Sequence, residues 1–442
     1  MIRKLKKNPP LMVCLSFFGL ILFGAILLNL PLASADGNSI GFLNALFTST
    51  SASCVTGLIV ANTATQWTVF GKLVIITLIQ IGGLGTMVFL SLIALAFNKK
   101  IGITQRRIIK EQTNADTSKG IIRLVIYIIK FSLSVELIGA VLLATRFIPD
   151  FGLERGILFS LFHAVSAFCN AGFDITGNSL VDYVDNITVN LVIAFLIIFG
   201  GLGFTVYLDI YKKRKFRNLT LHSKVVISIT SILILVGSLA FFILEHKGGS
   251  MEGLSLKGKI LASFFMSATS RTAGFNTIDI GKMQEGSVIV TIILMFIGAS
   301  PASTGGGIKT TTFGVLLFST LSVLRGNDET EIFHKTISRE ALLKSLCIFT
   351  LGSFLVIFSS LWITIIENGK FLYLDILYEI VSALGTVGVT RGITPNLSPL
   401  SKLILIVLMY IGRVGAATLG ISILNRKNKK HTRYSYGKII VG

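Results

Sequence analysis

The chain has 442 residues, 52% of them hydrophobic and only 14% charged, with a formal net charge of +20 and a mean hydropathy of +0.78. That composition excludes an ordinary soluble enzyme. The basic surplus would suggest nucleic acid in a soluble protein, but no stretch is long and polar enough to fold a basic domain, so no nucleic-acid partner is expected.

In chain order, a basic stretch at 3–7 precedes a charge-free run over 11–35. A helix of about 20 apolar residues crosses roughly 30 Å of hydrocarbon, so this run predicts an outward span. It imitates a secretion signal, down to the Ala-Ser-Ala at 33–35, but its length exceeds the roughly 7–15 residues of a usual signal core, and it is expected to be retained. Residues 40–53, IGFLNALFTSTSAS, are apolar but, at about 1.5 Å per residue, reach only part of the way across as a helix. The chain is expected to turn at 54–58, CVTGL, and to return through 73–98. Later charge-free runs cover 186–208, 225–244 and 345–366. Basic clusters at 99–110, 212–217, 325–344 and 426–430 alternate with the runs and mark the cytoplasmic face, both termini included. A multi-pass protein of the cell membrane, in contact with its lipid, is therefore expected. Acids gather at the other face, among them Asp36, Asp174, Asp182, Asp185, Asp279, Glu285 and Glu367. An acidic mouth would concentrate cations; ordinary solvated loops would carry the same residues. The cysteines, Cys14, Cys54, Cys169 and Cys347, lie in or beside apolar segments without metal-ligand spacing.

The search for internal repeats decides the architecture. SASCVTGL (51–58), SAFCNAGF (166–173), SATSRTAGF (267–275) and SALGTVGV (382–389) each open on Ser-Ala and reach a glycine, namely Gly57, Gly172, Gly274 and Gly388. A second mark follows each: IGGLG (81–85), FGGLG (199–203), IGAS (297–300) and IGRVG (411–415). The prediction is an all-α membrane protein of four linked units, each a span, a re-entrant pore helix, a glycine turn and a returning span, giving eight spans around one pore. The units are expected at 1–110, 111–218, 219–335 (with a broken return helix) and 336–425, with a cytoplasmic tail over 426–442. Irregular backbone at membrane depth needs protein or a water-filled cavity around it, so the four turns should meet on one axis.

At such an axis backbone carbonyls can replace the water shell of a cation without burying a full opposite charge. The candidate lining is Cys54, Val55, Thr56 and Gly57; Cys169, Asn170, Ala171 and Gly172; Arg271, Thr272, Ala273 and Gly274; and Gly385, Thr386, Val387 and Gly388. The fourth copy, TVGV, approaches the TVGYG filter of potassium channels but lacks its Tyr-Gly, predicting a shorter filter. Glycines in membrane helices also serve close packing, which suits GGLG in the return spans but not four glycines in matched polar turns.

The stretch IGASPASTGGGIKTTTFG (297–314) imitates a phosphate-binding loop. The G-x-x-x-x-G-K-[ST] pattern fails, because Ile308 and Ser303 stand where glycines are required. Pro301 and the glycines Gly305, Gly306 and Gly307 should instead break the third return helix beneath the turns. Together with Gly298, Ser300, Ser303, Thr304 and Lys309 they form a candidate gate; a passive kink is the plainer alternative. Arg413, midway along the last span, should face a cavity or a partner. It could brace the loop by donating to its carbonyls, or pair with Glu136. Asp209 is expected to end a helix, and Arg271 to bridge to outer carboxylates. His163 and His222 have no metal-ligand pairing.

On SAxCVTG, CNAGF, SRTAGF, GTVG and the glycine-rich third return span, the whole chain resembles the Trk/Ktr/HKT superfamily of potassium transporters, in particular the KtrB-type membrane subunits. The resemblance implies potassium translocation, sodium-stimulated in the Ktr branch, with residues 297–314 as an intramembrane gate and the arginine at 413 lining the cavity. It also implies a homodimer seated on a cytosolic ring of RCK-type nucleotide-binding subunits, ATP or ADP binding only on that ring. No covalent cofactor and no enzymatic chemistry are expected; potassium, with sodium as second ion, is cargo. Plant relatives with serine at the first filter glycine favour sodium, whereas Gly57 points to potassium. A symporter with its substrate at the broken helix would need two discontinuous helices in paired repeats, and the sequence shows only one strong break. An ATP-driven pump would need a nucleotide motif, and none is present.

Overall fold

A computed structural model describes residues 9–85 and 121–415. The basic stretches at 3–7, 99–110 and 426–430, the tail, and the expected first return span beyond residue 85 lie outside the described residues.

Each unit begins with a long apolar helix: α1 (Pro9–Leu28), α4 (Ile121–Phe151), α8 (Leu221–Glu245) and α12 (Arg339–Glu367). A shorter helix follows in each, α2 (Phe42–Ser53), α5 (Leu153–Phe168), α9 (Leu256–Thr269) and α13 (Tyr373–Gly385), and then a returning one, α3 (Val69–Leu84), α6 (Ile187–Leu202), α10 (Glu285–Phe296) and α14 (Pro399–Val414). Two further helices, α7 (Phe204–Lys213) and α11 (Thr310–Leu324), continue the second and third returns.

The polarity is that of a protein in lipid. Leucines on α8 face outward, Leu235 being 70% exposed, while Ser49, Thr50, Ser51 and Ser53 of α2 are fully buried. By length and composition the four long helices can each cross a membrane, as can α6 and α7 taken together. At about 1.5 Å per residue the described part of α3, α10 and α14 falls short of the roughly 30 Å a full crossing requires.

Helix starts follow from local chemistry. Asn62, Thr68, Asn186, Thr220, Ser255, Ser338 and Ser398 each cap a helix through the side-chain oxygen, satisfying one of the orphan N–H groups there. Two buried carboxylates join span to return in the same manner. Glu245 at the end of α8 accepts from Gln284 N at 2.8 Å and Ser250 N at 2.9 Å. Glu367 at the end of α12 accepts from Ser398 N at 2.9 Å and the Ser401 hydroxyl at 2.6 Å.

The structure departs from expectation at three points. The second return helix is broken as well as the third: α6 and α7 meet at 90°, because Gly203 takes a φ of 95° and Phe204 N donates to Ala302 O at 2.9 Å rather than continuing the helix. Asp209 does not end a helix. It lies within α7, pairs with Lys213 at 3.1 Å and accepts from Thr220 N at 2.8 Å, tying α7 to the start of α8. Finally, the otherwise helical fold includes a small antiparallel hairpin, β1 (Glu331–Ile332) and β2 (Lys335–Thr336). Phe333 and His334 turn it with φ of 51° and 59°, the left-handed pair that fits the twist of a two-residue hairpin.

Candidate functional site

The four re-entrant helices end at one place. A Cβ built on Gly57 would lie 2.5 Å from Ala171 O; on Gly172, 2.7 Å from Ala273 O; on Gly274, 2.7 Å from Val387 O; and on Gly388, 2.0 Å from Thr56 O. Each glycine thus abuts the carbonyl preceding the next, and the fourth abuts the first. The turns close into a ring with no room for a side chain on these α-carbons.

Within the ring the backbone repeats. The glycines have φ of 97°, 68°, 89° and 92°, and the residues two before them, Val55, Asn170, Thr272 and Thr386, are also left-handed, at 58°, 59°, 86° and 50°. Such angles cost a non-glycine residue about 1–3 kcal/mol and persist only where the surroundings enforce them. The enforcing bonds come from inside each unit. Ser382 accepts from Gly388 N at 3.0 Å and donates to Val389 O at 2.7 Å. Ser51 accepts from Gly57 N at 3.0 Å, and Ser166 donates to Phe173 O at 2.8 Å.

In the third unit the sequence alignment shifts by two. Ser267 does not brace the turn; it donates to Ile234 O at 2.8 Å, as Ser49 donates to Ile21 O at 2.7 Å in the first unit. Thr269 is the brace, donating to Phe275 O at 2.7 Å. Arg271 does not reach outer carboxylates. It is buried, with its NH2 group 3.5 Å from the Thr230 hydroxyl and no acid in range among the described residues. Gly385 closes α13, while Cys54 and Cys169 follow α2 and α5 as their buried caps.

The first glycine of each second mark is a packing glycine. A Cβ on Gly82, Gly200 or Gly412 would sit 2.0 Å from Ser53 O, 1.9 Å from Phe168 O or 2.1 Å from Leu384 O. The last glycine of the same marks ends the helix, with φ of 92° at Gly85, 95° at Gly203 and 92° at Gly415.

Against the ring lies the segment between α10 and α11. A Cβ on Gly305 would meet the Thr272 hydroxyl at 2.1 Å, and one on Gly306 the Thr386 hydroxyl at 2.2 Å, so the loop touches the third and fourth turns directly. Gly298 packs against Gly306 O in the same way, and Gly307 against Gly385 O. Its tethers come from elsewhere in the chain. Ser300 N donates to Gly201 O at 3.0 Å and Thr304 N to Gly200 O at 3.1 Å. The Thr304 hydroxyl donates to Phe168 O at 3.1 Å, and Arg413 donates to Thr304 O. The same guanidinium donates to Gly82 O and, at 3.0 Å, to Gly83 O. Pro301 O lies against Gly203, Ser303 donates to Ser300 O at 2.7 Å, and Lys309 Nζ donates to Gly305 O at 2.7 Å. A cavity of about 310 Å³ adjoins the loop, with Lys309, Arg413, Ser303 and Gly307 in its wall beside Phe17 and Phe204.

Glu136 does not meet Arg413; it accepts from Gln80 Nε2 at 3.0 and 3.2 Å. His163, buried among Phe147, Phe162 and Phe275, is held through Nδ1 at 2.7 Å from Phe159 O. Sequence reasoning misses Thr269 and Gln80, and it names Val55, Asn170, Thr272 and Thr386 as lining without their left-handed backbone. Only Gln80, an amide inside an apolar run, left a visible signal.

Comparison with known proteins agrees with this geometry. The TrkH cation transport protein family model matches residues 21–431. The Ktr system potassium uptake protein B of Bacillus subtilis is 44% identical over 442 residues, covering 100% of this chain and 98% of that protein. The potassium/sodium uptake protein NtpJ of Enterococcus hirae is 43% identical over 431 residues, with 97% and 96% covered. Among solved structures, the potassium transporter TrkH from Vibrio parahaemolyticus aligns with a TM-score of 0.71 at 20% identity, over 92% of this chain and 84% of that one. A family match of this extent, on a chain whose four turns form a ring, makes this protein a member of the TrkH family of cation transport proteins.

Proposed function

We propose that the chain is the ion-translocating subunit of a potassium uptake system. The observation that carries this reading is the closed ring of Gly57, Gly172, Gly274 and Gly388, each against the carbonyl of its neighbour. Carbonyl oxygens from four sides suit a monovalent cation stripped of water, and an inside-negative potential of 100 mV favours entry by about 2.3 kcal/mol per charge. The repeats take the bounds 1–110, 111–218, 219–335 and 336–425, with the tail at 426–442.

The loop from Gly298 to Lys309 acts as the gate. Contact with Thr272 and Thr386 and the clasp by Arg413 support this role. Sodium stimulation fits the name of the Enterococcus relative, and a partner subunit fits the word "system" in the Bacillus one. We place the chain in the cell membrane as a homodimer, both termini cytoplasmic, with ATP or ADP acting through an RCK-type ring.

A symporter binding an organic substrate at broken helices is the second reading, and the bend at Gly203 gives it more support than the sequence did. The left-handed glycine recurs at the same place in three units, at Gly85, Gly203 and Gly415, which favours a repeated pore unit over a pair of substrate half-helices. Rubidium, potassium and sodium flux into liposomes tests the choice. Gly388→Ser should lower potassium preference over sodium; unchanged selectivity in the folded variant overturns the filter assignment.

A further inference from the structure

The ring is not supported equally on its four sides. Gln80 lies two residues before the packing glycine Gly82, and the matching positions before Gly200, Gly298 and Gly412 are Ile198, Phe296 and Tyr410. Between the first and second units a polar chain crosses from an outer helix to a turn, whereas Tyr410, at the matching place in the fourth unit, donates to Cys14 O on α1 at 2.7 Å. Glu136 stands midway along α4, 5% exposed, with no cation paired to it among the described residues. A carboxylate at that depth is costly and calls for a function. Both its oxygens accept from Gln80 Nε2, at 3.0 and 3.2 Å. An amide whose nitrogen is held on one side must present its oxygen on the other. That oxygen accepts from the Cys169 thiol at 3.5 Å. Cys169 is the residue on which α5 ends and the second turn begins. A Cβ on Gly83 would lie 2.7 Å from its sulfur, so the helix backbone confines the thiol from the other side.

We infer that Glu136 and Gln80 are positioning residues for ion selectivity: the carboxylate orients the amide, and the amide fixes Cys169 and with it the carbonyls of the second turn. Neither touches the ion. The inference rests on the reading of the four turns as a filter. In the unbraced state the second turn relaxes, the ring widens on one side, and discrimination against sodium falls.

The experiment uses the full chain in liposomes, measuring rubidium and sodium uptake in parallel for Gln80→Leu, Glu136→Leu, Glu136→Gln and Cys169→Ala, with thermal melting as the check on folding. Gln80→Leu and Glu136→Leu should lower the rubidium-to-sodium ratio by about fivefold or more. Glu136→Gln, which keeps an oxygen facing Gln80, should restore most of the ratio. Cys169→Ala, the smallest truncation, should shift the ratio in the same direction and stands in if either leucine variant fails to fold. A ratio unchanged in folded Gln80→Leu and Cys169→Ala overturns the inference, as does a loss in Glu136→Gln equal to that in Glu136→Leu. Gly388→Ser in the same assay separates the two levels. If it alters selectivity while Gln80→Leu does not, only the positioning role fails; if it does not, the filter reading itself fails.

Discussion

The fourth turn and the loop between α10 and α11 are both glycine-rich, both sit at the axis, and touch each other, yet they are held in opposite ways. Ser382 braces the turn from within its own unit, bonding the Gly388 N–H and the Val389 carbonyl. The loop's outward bonds reach into other units: Gly200, Gly201 and Phe168 from the second, and Arg413 from the fourth. A turn braced by its own helix keeps its shape whenever the helix forms. A loop tied to neighbours keeps its place only while those neighbours stay put. The first suits an element that must not move, the second one that must.

Substitutions at the two glycine sets should break this contrast most sharply. Gly57→Ala sets a methyl 2.5 Å from a backbone carbonyl at a φ of 97°, and neither obstacle can move without opening the ring. Potassium preference over sodium should fall by about tenfold or more in rubidium and sodium flux. At Gly306 the nearest obstacle is the Thr386 side chain, with the Gly412 carbonyl farther off at 3.2 Å, and the loop itself can shift away from both, so Gly306→Ala should leave ion preference intact and alter flux alone. Deleting residues 300–307 is the next largest change. Basal rubidium flux should rise and control by a cytosolic ring weaken, while selectivity stays; regulation unaltered in the deletion would refute the gate.

Arg413→Gln removes charged donors to Thr304, Gly82 and Gly83 carbonyls. Hydrogen bonds to charged groups contribute about 1.5–3 kcal/mol each, so the loop should be released and basal flux should increase on the order of tenfold. The smallest effect belongs to Thr304→Val, which keeps shape and loses the bond to Phe168 O. A net value of about 1 kcal/mol predicts roughly a fivefold shift in the occupancy of the closed loop, measurable as basal leak.

Much of this was legible because it rests on demands only particular residues meet. Four glycines at matched places declare backbone angles and contacts that side chains forbid, and Arg413 in mid-span declares a partner without naming it. The left-handed Val55, Thr272 and Thr386 gave no such sign, since β-branched residues read as extended chain and hold these angles only through the packed ring. The third copy misleads by similarity: Ser267-Ala268 matches the other Ser-Ala pairs by eye, but the pore helix there ends at Thr269, five residues before its glycine, and Thr269 rather than Ser267 performs the bracing. The packing reading of GGLG holds at its first glycine but gives no sign of the helix break at its last, because the break at Gly203 is completed by Ala302 from another unit. Arg271 finds no acid among the described residues, and of the two partners open to Arg413 the loop carbonyl is taken while Glu136 meets Gln80. Both outcomes depend on which element faces which, and that is set by tertiary packing.

Anomalous diffraction from crystals of the protein soaked in rubidium tests the central claim most directly. The account predicts a peak on the axis enclosed by the carbonyls beside Gly57, Gly172, Gly274 and Gly388. Rubidium bound only outside that ring, with the ring itself empty at saturating concentration, would contradict it.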